Sequence, residues 1–168
     1  FRDGDLVMAQ TERLLACWAQ QHRYQVPQLV QTGNAQSSIR VADALWRMWY
    51  FIEPGRVVDP IATVDQAIEV GAAFGALQNN LEQLPGDRLF ETIPGFLQLQ
   101  FYLEAFAGLA SAAADEHRRI VHEHAHLAQA LARKQCHIHG DCKVNNVLFD
   151  AHGRQVQAII DFDTAMYG

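Results

Sequence analysis

The chain has 168 residues, 49% of them hydrophobic and 19% charged, enough to bury a sizeable core without disulfides or a structural metal. Its net charge is −6 and its 13 basic residues are scattered, which argues against a nucleic-acid footprint, and no apolar run approaches the ~18 residues that span a bilayer. The three cysteines, Cys17, Cys136 and Cys142, are odd in number and lack CxxC spacing, so neither a disulfide framework nor a zinc knuckle is expected and a reducing cytoplasm is the simplest setting.

Residues 5–21 carry Leu6, Val7, Leu14, Leu15 and Trp18 at helical spacing, with Asp3 and Asp5 available as caps, and predict an amphipathic helix. Residues 26–30 contain Pro27 and read as an extended edge segment, followed by turn chemistry at Gly33 and Asn34. Residues 38–41 and 45–52 are β-rich and predict a hairpin that ends at Glu53, Pro54 and Gly55. Within it Trp46, Trp49 and Phe51 alternate as expected for packed side chains.

Beyond that breaker, residues 65–84 return to helical periodicity through Ala67, Ile68, Ala72, Phe74 and Leu77, and Pro85-Gly86-Asp87 stops the run. Two Ala-rich helices are expected over 97–114 and 115–133. Strand character returns over 136–139, 147–149 and 156–160, with a turn at 150–153. The first five residues are no signal peptide, the chain opens without Met, and it stops five residues after Asp163, so a cytoplasmic fragment of something longer is expected.

The polar residues concentrate in that last section. His139-Gly140-Asp141-Cys142-Lys143-Val144-Asn145-Asn146 lies between two short apolar strands, and Ile160-Asp161-Phe162-Asp163 follows one hairpin later. Phosphoryl transfer from ATP needs a carboxylate to orient the attacking hydroxyl, a cation near the γ-phosphate and oxygen ligands for magnesium. Asp141 suits the first role and Lys143 the second, while Asn146 and Asp161 supply an amide oxygen and a carboxylate for Mg2+. ATP and Mg2+ are therefore the expected cofactors, with a small hydroxylated molecule as substrate.

The H-G-D-x-x-x-x-N pattern followed by I-D-x-D resembles the catalytic loop and metal-binding segment of the aminoglycoside phosphotransferase and choline kinase superfamily, itself similar to protein kinases. Asp141 to Leu148, Ile160 to Met166 and Glu91-Thr92-Ile93-Pro94-Gly95-Phe96 are closest in texture to the N-acetylhexosamine 1-kinase branch. The resemblance implies an α+β, kinase-like fold: a mostly helical lower lobe over 54–168 with a small catalytic β-hairpin, and over 1–53 a partial upper-lobe sheet ending in the hinge. It further implies that the backbone of Phe51, Ile52 and Glu53 faces adenine, that Asp163 lies near the substrate or a second metal, and that His139 organises the loop. The Gly-rich loop of the family would lie before the first helix, so this fragment alone is expected to be inactive.

Two other readings compete. His137, His139 and Asp141 match the H-x-H-x-D opening of zinc hydrolases, although Cys142 stands where a further His is required. A kinase-like binding module without activity is the other, opposed by the presence of Asp141, Lys143, Asn146 and Asp161 together. His122 and His126 share a predicted helix face, but a pair four apart without a third ligand reads as a solvated surface.

Overall fold

A computed structural model of the chain describes residues 4–108, 115–127 and 136–168. The first helix, α1 (Gly4–Trp18), forms where the periodicity places it and buries Val7, Met8, Thr11, Leu14, Leu15 and Trp18 along one stripe. Asp5 in its first turn complements the helix dipole and pairs with Arg40 at 2.8 Å; the second expected cap, Asp3, lies outside the described residues. Beyond the helix, Tyr24 stacks on Trp18 with ring centroids 5.7 Å apart.

The expected hairpin is present as β1 (Ile39–Val41) against β2 (Ala44–Trp46), antiparallel, with Ala42 in a left-handed turn conformation. The predicted strand over 45–52 divides, however. Its first part pairs with β1, whereas further along Met48 and Tyr50 exchange backbone bonds with Val30 and Gln28. The extended reading of 26–30 is thus correct, with its partner supplied by the aromatic run. The packing expected of that run is corrected in part: Trp49 packs against the core, but Trp46 is 60% and Phe51 81% exposed. Alternation puts Trp46 on the face opposite Trp49, and Phe51, which shares the parity of Trp49, lies beyond the last paired residue of the run, Tyr50.

The helix after the breaker, α2 (Val64–Leu81), starts with a capping box in which Thr63 and Gln66 satisfy each other's backbone N–H groups. It buries Ala73, Leu77 and Leu81 against α1 and the C-terminal strands. α3 (Leu99–Ala107) begins two residues later than expected because Leu97 has φ +58, a conformation that does not continue a helix. α4 is Asp115–His124; the ends expected for these two helices at 109–114 and 128–133 lie outside the described residues. His122 and His126 do not share one helix, since α4 stops at His124, and both are exposed.

Four short strands frame the C-terminal section. β3 (His137–Ile138) pairs with β6 (Met166–Tyr167), and β4 (Val147–Phe149) pairs with β5 (Val156–Ile159) across the expected turn. Arg56 bonds to Phe149 on the outer edge of β4, and Gln25 to Gln157 beside β5, so distant chain segments flank the hairpin on both sides. Val147, Phe149, Val156 and Ile159 join Leu14, Trp18, Leu77 and Leu81 in one cluster. The fold is therefore α+β and kinase-like in organisation, with a buried hairpin beneath the polar loops. No helix among the described residues is long and apolar enough to cross a membrane.

Candidate active site

Two segments converge at the end of the β4–β5 hairpin. The first runs from His139 to a short 3-10 turn, Val144–Asn146, directly ahead of β4. The second leaves β5 through Ile160 and Asp161 into another 3-10 turn, Phe162–Thr164. Ile160 N–H donates to Asn146 O at 2.9 Å, and Thr164 Oγ1 donates to His139 O at 3.1 Å. At Gly140, with φ +82, a Cβ would stand 2.3 Å from Thr164 O. The glycine of the H-G-D sequence is thus required by the close approach of the two segments as well as by its backbone angle.

His139 locks the crossing from inside. It is buried against Phe74 and Phe162, one ring nitrogen lies 3.0 Å from Ile160 O, and the other lies 3.3 Å from the Asp141 N–H. A neutral imidazole donating at Nε2 and accepting at Nδ1 satisfies both bonds. Burial pushes its pKa down, which favours that neutral form. This is the organising role expected of it.

Asp141 faces outward from this frame. Its Oδ2 accepts from Lys143 Nζ at 2.5 Å and from Asn146 Nδ2 at 2.9 Å, and Asn146 Nδ2 also reaches Asp141 O at 3.0 Å. The Lys143 bond first, then Asn146, holds the Asp141 carboxyl below its ordinary range, so it is ionised at neutral pH. The Lys143 ammonium is pushed up in turn by the same bond, and the nearby Asp161 charge adds to this. The buried Asn146 amide thus spends its NH2 on Asp141, which leaves its oxygen for another partner.

Asp161 is exposed and adopts φ 65, ψ 62, a left-handed conformation that Asp tolerates better than most residues and that often marks functional sites. The Asn146 amide oxygen and the Asp161 carboxylate are hard donors that fit magnesium, an ion that completes its shell with phosphate oxygens and water. Asp163 behaves differently: it forms an ion pair with Arg47. Phe51, Ile52 and Glu53 lie between the aromatic run and Arg56, and their backbone N–H groups make no backbone hydrogen bond among the described residues.

The model of the phosphotransferase enzyme family, APH, matches residues 6–168. The chain belongs to that family. As a phosphotransferase of kinase type, it has its polar loops where the motif spacing puts them. The zinc-hydrolase reading is not supported, because His139 spends both ring nitrogens on backbone groups and His137 turns to Leu81 O at 3.0 Å. Among the described residues no three His, Cys, Asp or Glu side chains are grouped to hold a metal.

Sequence reasoning missed two contributors to the phosphotransferase site. Gln10 is buried on α1 and bonds to Phe90 N–H at 2.9 Å and to Ala165 O at 2.7 Å, which ties the helix to the segment after Asp163. Arg47 reaches Asp163 from 116 positions away. Its signal was available as a lone charge inside an aromatic run, Trp46-Arg47-Met48-Trp49.

Proposed function

We propose that the protein is an ATP- and magnesium-dependent kinase that phosphorylates a hydroxyl of a small molecule, with an amino sugar or another hexose as the acceptor. The observation that carries this reading is the Asp141 carboxylate, kept ionised by Lys143 and Asn146 and set beside a second carboxylate at Asp161. Asp141 accepts the hydrogen bond of the acceptor hydroxyl and takes its proton late, as the acceptor oxygen bonds to the γ-phosphorus and the bond to the ADP oxygen breaks. Lys143 neutralises charge on the transferred group. Asn146 and Asp161 would hold the magnesium, which would supply further neutralisation of the phosphate charge.

On this reading residues 1–53 form the nucleotide side and end in a hinge, where the free backbone edges of Phe51, Ile52 and Glu53 receive adenine, and residues 54–168 carry the chemistry. The hexose assignment rests on the texture of the Asp141 to Leu148, Ile160 to Met166 and Glu91 to Phe96 stretches, which resemble N-acetylhexosamine 1-kinases. ATP consumption by the full-length protein against a panel of sugars, aminoglycosides and amino alcohols identifies the acceptor. With that acceptor, Asp141→Ala should lower turnover by roughly 10³-fold or more while leaving the melting temperature near that of the unaltered protein. Turnover within a few-fold of the unaltered protein would remove Asp141 from the mechanism.

A further inference from the structure

Two carboxylates, Asp161 and Asp163, leave the same turn with one residue between them, and the structure treats them unequally. Asp161 is exposed and its side chain makes no hydrogen bond or ion pair among the described residues. Asp163 accepts from Arg47 Nη2 in a pair whose side chains are only 21% and 28% exposed, on the side of Arg47 and Asp163 respectively. Arg47 is itself held: its guanidinium lies 5.1 Å from the Trp49 ring centroid, and Nη1 is 3.7 Å from Met8 Sδ on α1. Arg47, Asp163 and Met8 line a cleft of about 220 Å³ between the start of α1 and the β1–β2 ribbon.

The rest of the turn is anchored separately. On its β5 side, Ile160 is bonded at both N–H and C=O, to Asn146 and His139. On its far side, Ala165 O is bonded to Gln10. Asp163 lies between those anchors, and a partly buried charge-assisted bond there both fixes the backbone and cancels the second negative charge. Left unpaired, Asp163 would compete with Asp161 for any cation entering the site and would loosen the one stretch of the turn between those anchors.

We propose that Arg47 is a positioning residue of the phosphotransfer site: by holding Asp163 it fixes the turn that carries Asp161, so that Asp161 and not Asp163 is the carboxylate presented to the metal. The inference rests on the reading of Asp161 as a magnesium ligand, and it makes Asp163 an anchor in place of the substrate or second-metal role that the family resemblance implies.

Calorimetric titration of the full-length protein with Mg2+ at saturating AMPPNP tests the metal half. Arg47→Gln and Asp163→Asn should each weaken Mg2+ binding by about tenfold, and the double variant should be no weaker than either single one, because the two residues act as a unit. Arg47→Lys should recover only part of the affinity, since one nitrogen makes the contact to Asp163 but the guanidinium's contacts with Trp49 and Met8 are lost. Hydrogen exchange of the nucleotide-free protein tests the anchoring half without any ligand: the amides of residues 162–165 should exchange faster in Arg47→Gln and Asp163→Asn, with α2 unchanged. Loss of Mg2+ binding in Asp163→Asn with normal binding in Arg47→Gln would overturn the proposal by making Asp163 a ligand, and so would additive effects or unchanged exchange. Asp161→Asn separates the two layers. If it leaves Mg2+ affinity unchanged, the metal reading of Asp161 fails, and the exchange experiment still decides whether Arg47 holds the turn.

Discussion

The C-terminal section and the β1–β2 ribbon are both short β structures with polar loops, yet they are held in opposite ways. In the first, Val147, Phe149, Val156, Ala158, Ile159, Phe162, Ala165 and Met166 are all buried, and the loops above them bond to one another. In the second, Ile39, Val41, Trp46, Met48, Tyr50 and Phe51 all face outward. The ribbon and the run that continues it reach the rest through scattered links, among them Arg40 to Asp5, Arg47 to Asp163, the backbone bonds of Met48 and Tyr50 to Val30 and Gln28, and Trp49 on the core. The carboxylates proposed to serve phosphoryl transfer, which demands placement within a fraction of an ångström, thus stand on packed side chains, and the segment proposed to meet the nucleotide does not. A substitution of a buried side chain in the first region should register in stability and chemistry together, and one of an outward-facing side chain in the second in neither strongly.

The largest effect is expected at Phe149, fully buried at the turn end of β4 and bonded through its backbone to Arg56. Phe149→Ala should cost about 3–5 kcal/mol of unfolding free energy in urea, the usual loss for a large aromatic with a cavity left behind. A loss below about 1 kcal/mol would mean the hairpin is no better packed than the ribbon. Next comes Lys143, exposed and therefore of little weight in stability. Lys143→Met should lower kcat/KM by roughly 10- to 100-fold, as the cation near the transferred phosphoryl group is removed. The same change removes the main group that holds the Asp141 pKa down, so that pKa rises and the acid limb of the pH profile moves to higher pH. An unmoved limb would detach Lys143 from Asp141 in the working enzyme.

The contrast between the regions also explains what the sequence disclosed. Asp141, Lys143 and Asn146 lie within six positions, so spacing alone put them on one loop, and the turn at 150–153 announced the hairpin that returns to Asp161. The two long helices were legible from their stripes, down to Leu14, Trp18 and Leu77 in the core. β6 was not, because two residues carry no periodicity. The pairings of Gln10 and Arg47 were hidden for a different reason: their partners lie 155 and 116 positions away, and although the lone charge of Arg47 stands out in its aromatic run, no local pattern names its partner. The exposed Trp46 and Phe51 misled because an aromatic run reads as core whichever face of the ribbon it covers.

A smaller effect should follow from His139. Its folded pKa lies below the ordinary imidazole value, so the unfolded chain takes up a proton that the folded chain refuses. Stability is complete above the unfolded pKa of about 6.5 and declines as pH falls below it toward the depressed folded value, with a slope of at most about 1.4 kcal/mol per pH unit for one proton. Urea unfolding between pH 7.5 and the onset of carboxylate titration measures it, and His139→Gln should flatten the slope (roughly, that single-proton limit). A slope that persists in the variant would place the responsible proton elsewhere.

The smallest effect belongs to the ribbon end. Phe51 is 81% exposed and packs on nothing that would collapse without it, so Phe51→Ala should change unfolding free energy by no more than about 0.5 kcal/mol. If adenine meets this segment through backbone edges, the side chain is also peripheral to binding, and affinity for ATP should change by less than about threefold, under about 0.7 kcal/mol. Both measurements bear on the same point from opposite sides. A large drop in stability would show that Phe51 is covered in solution and that the ribbon is built into the fold as firmly as the hairpin. A large drop in ATP affinity with stability intact would instead move the nucleotide contact from the backbone of Phe51, Ile52 and Glu53 onto the Phe51 ring, making the exposed aromatic face of the ribbon part of the site.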